Sequence, residues 1–71
     1  MKLFFVVTVG RQVDGDMITV RFEKCYARAS KAEEYAKSMG KTVTESVNTA
    51  TGPVRFVCER GVHEIDLEED Q

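Results

Sequence analysis

Apolar and polar residues alternate with a period of two through most of this chain, and with a period near 3.6 through one short stretch. Residues 2–9, KLFFVVTV, are β-branched and aromatic and predict a strand. Leu3, Phe5, Val7 and Val9 form one face; Phe4, Val6 and Thr8 form the other. Both faces are apolar, which is unusual for a sheet with one wet side. Residues 17–27, MITVRFEKCYA, alternate Ile18, Val20 and Phe22 against Thr19, Arg21 and Glu23, the pattern of a half-buried strand. Asp14-Gly15 lies between them and signals a two-residue hairpin, because a type I′ turn needs positive φ at both central positions. That turn sets Val9 opposite Val20 and Val7 opposite Phe22, so the apolar faces coincide. Past Glu23, Cys25 either stays on the opposite face or is turned inward by a bulge.

Helical spacing begins after Ser30. Ser30 and Glu33 form a capping box, and Ala32, Tyr35, Ala36 and Met39 recur on one stripe. Gly40 ends the run, which predicts a helix over residues 31–39. So short a helix must dock to exist. Residues 42–48, TVTESVN, predict a strand near a sheet edge, because its apolar face is weak. Residues 48–53, NTATGP, read as a loop. Residues 54–59 and 62–67 alternate on either side of Arg60-Gly61, which predicts a second hairpin. Phe56 then faces Ile65, Cys58 faces His63, and Arg55 pairs with Asp66 across the strands.

The fold class is therefore α+β: an antiparallel twisted sheet of four to five strands with one short helix packed on one face, in the order ββαβββ. Residues 1–67 are expected to form a single domain, with residues 68–71 an acidic, frayed tail. The helix is expected on the face made by Phe5, Val7, Val20, Phe22, Phe56 and Ile65.

Composition narrows the function classes. A 71-residue chain makes one domain with a thin core, which dimerisation would help. The net charge of −2 gives no overall drive toward nucleic acid or an anionic membrane. The longest apolar run, residues 3–7, is too short to span a bilayer or to serve as a signal peptide. Two cysteines without a leader point to a reducing, cytoplasmic setting, with both thiols packed as small hydrophobes.

Three constellations invite chemistry. Cys58 opposite His63 has the residue types of an activated thiolate, and Cys25 would bring a third zinc ligand. No close ligand pair accompanies them, and a packed cross-strand pair is the plainer reading. Charges segregate along the chain. Residues 21–41 carry six Lys or Arg against three Glu, whereas residues 59–71 carry Arg60 against six carboxylates. The basic segment offers Arg21, Lys24, Arg28 and Lys31 to nucleic acid. Third, with the helix on the Phe5 face, Phe4 and Val6 face away from it. Val57 and Val62 extend that patch, and Arg55, Glu64 and Asp66 rim it. An uncovered apolar patch of this kind marks a partner surface.

No Gly-rich phosphate loop, triad or paired-ligand motif accompanies these features, so no catalytic, cofactor, metal or small-molecule site is assigned. The expectation is a small noncatalytic protein-binding or regulatory module, with a protein partner or a second copy as its ligand. A nucleic-acid-binding module is the first alternative, and a thiol or metal protein around Cys58 and His63 the second. A short, acidic, motif-free α+β chain is similar in general style to accessory proteins of phages and other mobile elements, a likeness that no motif carries.

Overall fold

The computed structural model describes residues 1–68. Residues 69–71, most of the acidic tail, lie outside the described part. The order is β1 (Lys2–Gln12), β2 (Ile18–Tyr26), α1 (Ala29–Met39), β3 (Thr42–Thr49) and β4 (Gly52–Asp66). The four strands make one antiparallel sheet in the order β2-β1-β4-β3. The α+β class and the antiparallel sheet are as the sequence predicts. The strands number four, the lower of the expected counts, and the element order is ββαββ, not ββαβββ.

The missing fifth strand is the main correction. Arg60-Gly61 makes no turn, and β4 runs through it unbroken. A type I′ turn would have forced positive φ on Arg60, which an L-residue with a Cβ resists. Among the described residues, those with positive φ are Gly40 and Gly52. The unbroken strand also satisfies β1. Its far edge pairs along its whole length, from Lys2 opposite Asp66 to Gln12 opposite Phe56. The pairing continues past the strand end, where Leu67 N–H donates to Met1 O at 2.7 Å. A hairpin at residue 60 would have left half of that edge without partners.

The other elements depart less. The β1–β2 register has Val9 opposite Val20 and Val7 opposite Phe22, as expected, but residues 13–17 connect the strands in a looser loop. Gln12 holds that loop, its N–H donating to Met17 O at 2.9 Å. The register then slips between Val6 and Val7, leaving Glu23 as the extra residue of a bulge. Strand β3 is an edge strand, as expected. Its loop to β4 tightens to Ala50 and Thr51, with Gly52 at φ 115° and the Thr49 hydroxyl donating to Gly52 O at 2.7 Å.

Helix α1 begins earlier than the capping box implies. Arg28 is the N-cap residue and makes no side-chain cap bond, so Ser30 lies inside the first turn. Gly40 closes the helix at φ 87°, its N–H donating to Lys37 O at 3.1 Å. Ala32 and Ala36 are fully buried on Val6, framed by Phe4, Tyr26, Tyr35 and Val62. Small side chains at both contact positions let the helix backbone lie close to the sheet. The helix therefore covers the Phe4–Val6 face, opposite to the expected one.

Substituting Ala32→Leu should overpack this contact and lower stability by about 1–3 kcal/mol. Urea unfolding checks it, and an unchanged midpoint would contradict the close helix contact.

Candidate binding surface

Strand alternation places every side chain on one of two faces. On the helix side lie Phe4, Val6 and Thr8 of β1, Tyr26 and Lys24 of β2, and Phe56, Cys58, Arg60 and Val62 of β4; of these, Phe4, Val6, Tyr26 and Val62 pack against the helix. The opposite face holds Leu3, Phe5, Val7, Val9 and Arg11, flanked by Ile18, Val20, Phe22 and Cys25 on one side. On its other side stand Val57, Glu59, Gly61, His63 and Ile65. No described element covers this second face. Ile18, Val20 and Phe22 are 57%, 60% and 69% exposed, and Val57 and Ile65 are also exposed. Phe5 holds Phe22 edge-on, with ring centres 6.0 Å apart. Above Gly61 the missing side chain leaves a depression of about 240 Å³, floored by Val7, Val9 and Val57 and edged by Glu59, His63 and Arg11.

The expected interface is thus divided between faces. Val6 is fully buried under the helix, and Phe4 and Val62 pack against the same cluster. These three cannot form the open patch. Val57 and Arg55 lie on the uncovered face. Glu64 and Asp66 lie on the helix face, where Lys2 sits 3.5 Å from Glu64 and the N-terminal ammonium 3.6 Å from Asp66. Arg55 and Asp66 belong to one strand and do not pair. An apolar face in excess exists, as the sequence implies, but Val57 apart its members are those assigned to the core, of which only Phe56 lies on the helix side.

The bulge explains the inversion. Continuing the Val9–Val20 register would set Tyr26 opposite Leu3; the extra residue sets it opposite Phe4. Tyr26 then meets Tyr35 of the helix, with ring centres 6.0 Å apart. The same slip carries Cys25 onto the Phe5 face, which is open rather than inward.

Unbroken β4 also separates Cys58 from His63. Cys58 is buried on the helix side, while His63 is exposed on the open face opposite Phe5. Residues five apart in one strand point to opposite sides. Neither the activated thiolate nor the zinc set of Cys25, Cys58 and His63 can form in this arrangement. Among the described residues, no group of three or more His, Cys, Asp or Glu could hold a metal ion. Burial, with Glu45 nearby, pushes the Cys58 thiol up, away from the thiolate.

Cys58 borders a polar layer at the C-terminal end of the helix. The Arg60 side chain, 6% exposed, donates to Met39 O at 3.3 Å and Gly40 O at 3.1 Å. Its charge meets the negative end of the helix dipole there. It also reaches Glu45 at 3.3 Å, and Glu45 in turn meets Arg21 at 3.4 Å. Arg21 donates to Glu23, whose carboxylate accepts a 3.1 Å bond from the buried Thr8 hydroxyl. The hydrogen bond from Arg21 is the main cause that holds Glu23 below the ordinary carboxylate range. Of the basic segment, then, Arg21 is committed to two carboxylates. Lys24 Nζ stands 5.2 Å from the Tyr35 ring centre, and Lys31 lies 4.0 Å from Glu34. Arg28 is exposed at the helix start. Lys24 and Lys31 both flank Tyr35, beside Glu34.

Fold and surface together define a small α+β domain with one helix-covered and one uncovered sheet face. Comparison with protein-family models, with curated proteins and with solved structures finds no match to this chain. Among the described residues, no helix is long and apolar enough to cross a membrane.

Two measurements check this geometry. A thiol reagent should modify exposed Cys25 rapidly and buried Cys58 only on unfolding, as peptide mass mapping will report. Equal rates would contradict the placement. The Glu23 carboxylate, lowered in the folded chain, stabilises it above the ordinary Glu range of ~4.3, and that contribution fades as pH falls through the lowered value. Glu23→Gln should therefore be less stable than wild type at neutral pH and converge with it in acid. A constant difference across pH would refute the linkage.

Proposed function

We propose that this chain is a noncatalytic binding module that recognises a protein surface through its uncovered sheet face. One observation carries the reading: Ile18, Val20 and Phe22 stand largely exposed beside half-buried Phe5 on an apolar face. Monomeric proteins seldom leave so contiguous a patch in water. Its chemistry suits recognition by burial, with an aromatic anchor at Phe22, an apolar centre and a charged border of Arg11, Arg55 and Glu59. The nucleic-acid alternative has less behind it, since Arg21 already has two carboxylate partners and the overall charge is −2.

A photoreactive residue placed at Val20 should give protein adducts, and the same residue at Glu33 on the outer helix face should give few. Phe22→Glu should abolish the adducts at position 20 while leaving the circular dichroism unchanged. Adducts equally frequent at both positions, or none at Val20, would refute the reading.

A further inference from the structure

Phe22 and Gly61 are the two cross-strand neighbours of Val7, one on each side of β1. One is the most exposed large hydrophobe of the described chain; the other is a strand position with no side chain, beneath the depression. The protrusion and the hollow therefore sit in one row, at equal distances from the same residue. A two-fold axis running along β1 through Val7 exchanges them. We infer that the occupant of the open face is a second copy of this chain, packed face to face about that axis, with Phe22 of each copy seated above Gly61 of the other. This rests on reading the open face as a binding surface.

Two features support a second copy over an unrelated partner. The first is this self-complementarity, which an isologous interface requires and which gives two equivalent insertions. The same operation lays Ile18 over Val57, because both pair with Arg11. The second is charge. The two Arg11 side chains meet on the axis at one end, and a Glu59 from each copy lies diagonally beside them and offsets their repulsion. Extent sets the strength. Residues 3–11 of β1 are flanked by β2 and β4, and β3 joins only beside Val9 and beyond. Three strands over that length cover roughly 30 by 14 Å, about half of the ~800 Å² per partner of a standard interface, so the dimer is weak and concentration-dependent. Two such faces pack as an aligned sandwich, sheets ~10 Å apart, with the two β1 strands parallel along the axis.

The space above Gly61 provides a sharp test. A Cβ at Gly61 would meet only His63 Nε2, at 3.9 Å, and the backbone there is not in a positive-φ conformation. A side chain can therefore be added without disturbing the single chain. Sedimentation equilibrium from low micromolar to millimolar protein should give a dimer for the wild type. Phe22→Ala should weaken it by on the order of 30-fold. Gly61→Leu should weaken it comparably, although it adds apolar surface; a merely sticky patch would bind more tightly. The double variant Phe22→Ala with Gly61→Phe exchanges protrusion and hollow and should regain association. Circular dichroism and urea unfolding establish that each variant is folded.

A wild type that stays monomeric at millimolar concentration overturns the inference. So does a dimer that Gly61→Leu leaves unchanged or tightens. A monomer whose Val20 photoadducts contain other proteins would refute the second copy and leave the binding reading standing. A monomer without such adducts would refute both.

Discussion

Strand β4 runs for fifteen residues without a turn, and its alternation assigns the side chains of the sheet to two faces. It pairs with β1 along that strand's full length and with β3 along its own first half. The whole sheet is thereby phased by one segment. Phe56, Cys58, Arg60 and Val62 fall on the helix side, and Val57, Glu59, Gly61, His63 and Ile65 on the other. A turn within it would reverse the second half and reunite Cys58 with His63. The absence of that turn is what dismantles the thiol and zinc arrangements.

Once the faces are set, the helix has a reason to choose the less apolar one. That face has Val6 beneath two alanines, a Tyr26–Tyr35 contact at one end and Arg60 at the other, bonded to the last helix carbonyls. Close packing and charge at the helix terminus act together there. The opposite face is richer in large hydrophobes but offers the helix neither. The buried apolar set stays small: Val6, Val7, Ala32, Ala36, Phe56 and Cys58. So thin a core leaves the open face as the largest remaining source of burial, and covering it would add to stability as well as to function.

Much of this was legible in the sequence. Alternation located the first two strands, the edge strand and both halves of β4, and the Val9–Val20 register followed from matching apolar faces. Gly40 marked the helix end. Two local details were not legible, and both concern parity. Arg60-Gly61 resembles a turn when read alone, and only the need of β1 for a long partner shows that it is not one. The bulge at Glu23 leaves no compositional mark; its reason lies in a bond from Thr8, fifteen residues away, and in Tyr26 reaching the helix. Each detail shifts the pattern by one position, and one position moves a residue to the other side of a sheet. The sequence thus revealed that an apolar face was in excess but, Val57 and Arg55 apart, named the wrong members for it.

The central claim is that α1 packs on the Val6 side and leaves the Val7 side open. Methyl-resolved nuclear Overhauser spectroscopy addresses it directly. The account predicts contacts from the Ala32 and Ala36 methyls to Val6 and Val62, with Val7 close to the Gly61 α-protons across an unbroken β1–β4 ladder. Contacts from those alanines to Val7, Val20 or Phe22 would place the helix on the other face and contradict it.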